Sequence, residues 1–215
     1  MLSKRMNWRH RLSIAGAAAA VLLAGATTEA SAGSATATIT SGTGTIFMTK
    51  TYINQMAAGN VQITAQTPIS VTDEGSFTTT IWSTSGGDAD FQHCTGEVDL
   101  HAGSLVQNTV TGAGVLLDDI RLDLATDSIH YTVHTPAGDV TIQGLKLAGV
   151  QGGYVHGDTV TYSASELLMT AVGAQDLNSV TGTSAFTATA PVFGAFNTTF
   201  RLDHAAPSSG FVNCG

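Results

Sequence analysis

Histidine, cysteine and carboxylate side chains are the groups of this chain that could perform metal or acid–base chemistry. The sequence contains seven histidines and two cysteines. His130 and His134 lie four positions apart in one predicted strand, which separates them by roughly 13 Å and prevents both from binding a single ion. The sequence contains no H-E-x-x-H, C-x-x-C or G-x-S-x-G segment, the spacings typical of zinc sites and serine hydrolases. We therefore predict a protein that is not an enzyme and has no dedicated metal site.

The first 32 residues have the organisation of a secretory signal peptide. Four basic residues lie between positions 4 and 11, an apolar stretch covers Leu12–Ala26, and the small residues Ala30-Ser31-Ala32 follow. This order is typical of a signal that is cleaved after export, and the apolar stretch is shorter than the roughly 20 residues of a membrane-spanning helix. We predict that residues 1–32 are removed and that residues 33–215 form a single secreted β-rich domain without a transmembrane segment.

Both cysteines lie after the predicted cleavage site. Export to an oxidising compartment favours a disulfide between them, and we predict that Cys94 and Cys214 form one. Metal-binding thiolates would usually form a close pair, which these two positions do not. The bridge would close a loop of about 120 residues and contribute roughly 4–5 kcal/mol in the chain-entropy model, as an upper value.

The predicted mature chain is strongly acidic. After residue 32, 15 of the 16 Asp and Glu residues and four of the eight Lys and Arg residues remain, which leaves a net charge of −11. A surface of this charge repels nucleic acids and anionic lipids. We therefore exclude nucleic acid as a partner and expect the charge to keep the protein soluble outside the cell.

Alternation of apolar and polar residues with a period of two dominates the sequence after residue 60. The alternation is clearest in Ile120–Leu124, in Ile129–His134 and from Phe196 to Leu202. Short alternating runs that are separated by Gly, Asp and Asn turns are typical of antiparallel sheets. The apolar parity reverses across Gly144, which predicts a β-bulge there. We predict an all-β fold, either an antiparallel β-sandwich or a sandwich-like barrel.

Two segments depart from this alternation and add one or two short helices to the prediction. Residues 170–180 combine a capping Thr170 with an apolar stripe, and Gly182 follows the end, as expected for a helix. Gly173 lowers the helix propensity of this segment by up to about 1 kcal/mol. The other segment, Phe47–Ala58, is compatible with a short helix or with a strand that ends at Gly59.

Three segments of the chain resemble a known family of domains. They are Thr51–Thr64, Leu117–Leu122 and Leu168–Asn178, the last followed by Phe186 and Phe193-Gly194. Together they resemble the opening segment, the middle strand, and the closing helix and strand of the HtaA-like haem-uptake domain of actinobacteria. The resemblance implies a β-rich domain, on or outside the cell, that binds haem through a tyrosine with a supporting histidine.

The same resemblance implies two site residues. Tyr52 is at the position of the axial phenolate, a suitable ligand for ferric haem because a hard anionic oxygen stabilises Fe(III). His101 is at the position of the supporting histidine, which would tune the phenolate through a hydrogen bond. Without the resemblance, Tyr52 is an ordinary tyrosine of the core or of a cavity rim.

Two hypotheses of function follow from the sequence. The leading one is a secreted, non-enzymatic binding module that holds haem or another small hydrophobic ligand. The alternative is a structural or protein-interaction domain of the cell envelope that contains no cofactor. In either case the protein could also contact a cell-surface or extracellular protein. A haem binder purified with its cofactor would be coloured and a structural domain would not, so the two are simple to distinguish.

Overall fold

A computed structural model describes residues 36–66, 70–73, 75, 77–135, 138–206, 210–212 and 214. The predicted signal peptide, residues 1–32, lies outside the described residues. The described residues form thirteen strands and two helices. The strands are β1 (Ala37–Thr49), β2 (Val61–Ala65), β3 (Ser70–Asp73), β4 (Phe77–Asp90), β5 (Thr95–His101), β6 (Ser104–Asn108), β7 (Gly114–Asp123), β8 (Ser128–Thr135), β9 (Gly138–His156), β10 (Thr159–Met169), β11 (Pro191–Phe193), β12 (Ala195–Leu202) and β13 (Gly210–Val212). The helices are α1 (Lys50–Ala58) and α2 (Ala171–Thr181).

Eight of these strands close into an antiparallel barrel. Around the ring the order is β1, β4, β5, β7, β8, β9, β10 and β12, and β12 pairs with β1 again. Closure removes the exposed sheet edges that an open sandwich would keep. The structure thus confirms the predicted all-β antiparallel fold and shows a closed barrel rather than two packed sheets.

The other described strands pair with members of this ring or with each other. β2 and β6 form an antiparallel pair, and β6 also pairs with the first half of β7. β3 pairs with β4, β11 with β10, and β13 with β9. α1 packs against β1 and β2, whereas α2 packs against β6, β7 and β9. No helix of the described residues has the length and apolar character needed to cross a membrane.

Inward-facing side chains form two buried clusters. The first fills the barrel and includes Trp82, Phe196 and Phe200. The ring centroids of Trp82 and Phe196 lie 5.6 Å apart, a separation at which aromatic pairs attract each other. The second cluster lies where the barrel meets the helices and includes Tyr52 and Tyr131. The predicted apolar face of the last long strand is confirmed, because Phe196 and Phe200 are fully buried.

Gly144 forms the predicted β-bulge and also allows α2 to approach the barrel. The register between β8 and β9 skips Gly144, which lies between the partners of Ile129 and His130. A Cβ atom on Gly173 of α2 would lie 2.5 Å from the carbonyl oxygen of Gly144. The glycine that weakens the predicted helix is therefore required by the close contact between the helix and the strand.

Both segments that depart from the alternation contain helices. Thr170 caps α2, since its hydroxyl accepts a hydrogen bond from the N–H of Gly173 at 2.9 Å. Gly182 ends this helix with a φ of 63°, in the left-handed region that glycine adopts freely. At the other segment β1 continues to Thr49, whose hydroxyl accepts a hydrogen bond from the N–H of Tyr52 at 3.3 Å. This cap places Tyr52 in the first turn of α1.

The predicted disulfide is present. Cys94, in the turn between β4 and β5, is bonded to Cys214, 120 positions later in the chain. The bridge fixes the C-terminal end of the chain to the middle of the sequence, and so it restricts the unfolded chain more than a short loop would.

Candidate ligand-binding site

A cavity of about 680 Å³ lies between the interior of the barrel and the cluster beneath the helices. Its wall is mainly aliphatic and aromatic, with Ile46, Leu100 and Ile129 from the first cluster and Met56 and Leu177 from the second. The volume lies within the range of roughly 300–1,000 Å³ of sites for small molecules and cofactors. A cavity of this size and polarity can hold a bulky hydrophobic ligand.

Three buried polar atoms, each on a residue that lines this cavity, have no hydrogen-bond partner among the described residues. They are the hydroxyls of Tyr52 and Tyr131 and the indole N–H of Trp82. An unpaired polar group shielded from water costs roughly 1–3 kcal/mol, and native proteins pair most such groups. Three of them in one cavity indicate a place where a bound ligand or water supplies the missing partners.

The two cavity tyrosines are neutral phenols at physiological pH when no cation is near. Burial raises the pKa of Tyr52 well above its usual range. Burial is also the main cause of the raised pKa of Tyr131, and the negative charge of Asp176 raises it further. A bound cation would have the opposite effect, because positive charge stabilises a phenolate.

Tyr131 reaches the cavity because a glycine lies beside its ring. Tyr131 shares the buried face of β8 with Ile129 and Val133. A Cβ atom on Gly144 would overlap the ring of Tyr131, so that a larger residue at the bulge would displace it. The sequence analysis did not select Tyr131 as a site residue. The feature of the sequence that could have identified Tyr131 is its position on the apolar face of a strand, close to the predicted bulge.

The structure places Tyr52 in the cavity wall and His101 outside it. His101 is the last residue of β5 and its side chain is exposed, whereas Leu100 and Ala102 line the cavity. Successive side chains of a strand point to opposite faces, and so the inward direction of Leu100 turns His101 outward. The structure therefore does not bring the two residues that the resemblance pairs together in this cavity, and Tyr131 is the tyrosine that shares the cavity wall with Tyr52.

Two charged side chains mark the rim of the cavity. The ammonium group of Lys50, the first residue of α1, lies 2.6 Å from a carboxylate oxygen of Asp73, the last residue of β3. Among the described residues that line the cavity, these two are the charged ones. Their side chains are 32 % and 63 % exposed, which shows where the apolar space meets solvent.

Tyrosine oxygens are the ligands that this cavity offers to a metal-containing group. Within the described part of the chain, no three His, Cys, Asp or Glu side chains are grouped so that they could hold a metal ion. A deprotonated phenol is a hard anionic ligand that suits ferric iron, as in tyrosine-ligated haem proteins. Tyr52 is 4 % exposed, lines the apolar space and has no protein partner for its oxygen among the described residues. Its chemistry fits an iron porphyrin.

The fold and the cavity define an antiparallel β-barrel with an apolar internal space. This barrel is similar to the crystal structure of the C-terminal domain of HtaA from Corynebacterium glutamicum, with a TM-score of 0.54 and 14 % sequence identity. The match covers 77 % of this chain and 99 % of the HtaA chain. No protein family model and no curated protein sequence matches the chain. The comparison supports a structural relationship to the HtaA domain and, at this identity, shows the fold alone.

Proposed function

We propose that the protein is a secreted, non-enzymatic binding module of the haem-uptake type, which holds haem in the apolar cavity. The observation that carries this proposal is the buried hydroxyl of Tyr52, which lines the cavity without a partner among the described residues. The sequence resemblance and the similar fold of the HtaA domain support haem as the ligand. The disulfide of Cys94 and Cys214 supports an extracellular location, because such bonds persist in oxidising compartments.

In this proposal Tyr52 binds the iron of ferric haem as a phenolate. The positive charge of the iron offsets the desolvation that otherwise keeps the buried phenol protonated. In the bound state Tyr131 takes the supporting role that the sequence resemblance assigns to His101, because its hydroxyl is also buried without a partner among the described residues and the residue lines the same cavity. The aliphatic wall excludes water from the bound group. The ligand is carried rather than transformed, and so no catalytic group is required.

The four tyrosines of the chain provide matched variants for a test. We would titrate haemin into the purified protein and follow the Soret band for wild type, Tyr52→Phe, Tyr131→Phe, His101→Ala and Tyr154→Phe. Tyr154 is the control, because it is 50 % exposed and does not line the cavity. We expect saturation near one equivalent, a loss of affinity of more than about 10-fold for Tyr52→Phe and of roughly 10-fold for Tyr131→Phe, and no change for the control.

Each alternative has its own outcome in this titration. Saturable binding that Tyr52→Phe does not weaken would retain haem as the ligand and reject Tyr52 as its axial residue. A loss with His101→Ala but not with Tyr131→Phe would return the supporting role to His101. Weak binding that does not saturate would reject haem and favour the structural or protein-interaction domain of the cell envelope.

A further inference from the structure

The charged pair at the cavity rim indicates the chemical class of the ligand. Lys50 Nζ lies 2.6 Å from Asp73 Oδ2. Lys50 follows β1 directly and Asp73 ends β3, and both of these strands pair with β4, which lies between them. The ion pair therefore reaches across the first residues of β4 and joins two elements that border the cavity.

Lys50 is the basic side chain that is placed to meet a ligand. Four Lys and Arg residues remain after residue 32. Of these four, Arg121, Lys146 and Arg201 do not line the cavity, whereas Lys50 does. Lys50 thus supplies the positive charge of the described cavity wall, in a chain whose net charge of −11 after residue 32 otherwise repels anions.

The carboxylate that Lys50 contacts can be exchanged at little cost. The side chains of Lys50 and Asp73 are partly exposed, and exposed ion pairs contribute little to stability. All four residues of β3 are exposed, and among the described strands β3 pairs with β4 alone. A ligand carboxylate could therefore give Lys50 an equivalent charge-assisted hydrogen bond, while Asp73 keeps the hydrogen bond that its other carboxylate oxygen accepts from the N–H of Gly75 at 2.9 Å.

We propose that the cavity takes an amphipathic ligand with an apolar body and at least one carboxylate, which Lys50 binds in place of Asp73. This inference rests on the proposed function and specifies which part of the ligand stays at the rim. Haem, which carries two propionate groups, belongs to this class. A ligand of the same shape without a free carboxylate loses the contact with Lys50 and binds less tightly.

Haemin and haemin dimethyl ester provide the test, because the ester has the same ring and iron but no free carboxylate. Both are titrated at low ionic strength into the purified protein and into Lys50→Met and Lys146→Met. Lys146 is the matched control, since it is exposed on β9 and outside the cavity wall. We expect Lys50→Met to weaken haemin binding roughly 3- to 5-fold, as for a partly exposed charge pair, and to leave the ester unchanged.

Two further results are expected from the same titrations. Lys146→Met leaves the affinity for both ligands unchanged. Asp73→Asn strengthens haemin binding, because the carboxylate that competes for Lys50 is gone, and leaves the ester unchanged. An equal loss for both ligands with Lys50→Met, or equal losses of haemin affinity with the two lysine variants, would overturn the inference.

The outcomes separate this inference from the proposed function. Haemin binding that depends on Tyr52 but not on Lys50 would retain the proposed function and reject the carboxylate contact. If neither form of haemin binds the wild type, the proposed function fails, and cis-parinaric acid and its methyl ester become the probes. A preference for the acid that Lys50→Met abolishes would then support the inference. Equal binding of acid and ester, or no binding, would overturn it.

Discussion

Replacing Tyr52 with phenylalanine is expected to stabilise the ligand-free protein while it weakens ligand binding. The side chain is 4 % exposed, and its hydroxyl has no partner among the described residues. The substitution removes this oxygen and keeps the ring, so that the surrounding packing is retained. Because an unsatisfied buried hydroxyl costs roughly 1–3 kcal/mol, we expect the free energy of unfolding to rise by that amount. The melting temperature would then rise by about 2–12 °C for a domain of this size.

Tyr162 provides the matched control for this prediction. It is 1 % exposed, and its hydroxyl donates a hydrogen bond to Asp127 Oδ1 at 2.7 Å. Tyr162→Phe removes the same atom but breaks a hydrogen bond to a charged group, which contributes roughly 1.5–3 kcal/mol. We therefore expect its melting temperature to fall. Calorimetry and chemical denaturation of the ligand-free proteins measure both changes.

The two tyrosine variants are thus expected to shift stability in opposite directions. A fall for Tyr52→Phe that matches the fall for Tyr162→Phe would refute the reasoning, because the hydroxyl of Tyr52 would then be satisfied in the ligand-free protein. A rise in stability together with a loss of haemin affinity would show that the hydroxyl of Tyr52 lacks a partner in the ligand-free protein and contributes to ligand binding.

Three further predictions concern the framework around the cavity. Replacing both cysteines with serine is expected to lower the free energy of unfolding by up to roughly 4–5 kcal/mol, measured by denaturant titration. Gly173→Ala is expected to lower the melting temperature although alanine favours helices, because its Cβ would lie 2.5 Å from the carbonyl of the bulge glycine. The hydrogen bond with Asp139 raises the pKa of His134, so its contribution to stability is present below the ordinary histidine pKa and is lost as the pH rises through the raised value. Melting curves of His134→Gln and wild type at about pH 5.5 and pH 8.5 measure this contribution.

Each of these three predictions has an outcome that contradicts it. An unchanged denaturation midpoint in the serine variant would mean that the bridge restricts the unfolded chain very little. A higher melting temperature for Gly173→Ala would mean that helix propensity outweighs the close contact with the strand. A difference between His134→Gln and wild type that is equal at both pH values would mean that the histidine charge makes no contribution.

Local structure was predictable where its physical cause lies within a few residues. Thr170 and Gly182 satisfy the backbone at the two ends of α2, and both signals are present in the sequence. The reversal of parity at Gly144 predicted the bulge, because one extra residue must turn the following side chains to the other face. The segment before Gly59 had two interpretations, since a short helix receives only weak support from its own residues.

The candidate site was predictable only in part. Tyr52 came from a resemblance, and the structure places it in the wall of a cavity that no local pattern reveals. His101 came from the same resemblance, but the alternation of β5 turns its side chain outward. Tyr131 lies on the face that the strand pattern marks as apolar, yet its proximity to Tyr52 depends on how β8 and α1 are placed around the barrel.

The sequence by itself determined the antiparallel strands, the capped helix, the bulge and the pairing of the two cysteines. The first three follow from side-chain alternation and backbone capping, and the pairing of the cysteines follows from there being only two of them. The tertiary structure decided that the strands close into a ring and that two phenols, an indole and one ion pair surround the same apolar space. The alternation of apolar and polar residues along a strand predicts which side chains face inward. Closure of the ring determines which of these inward side chains become neighbours.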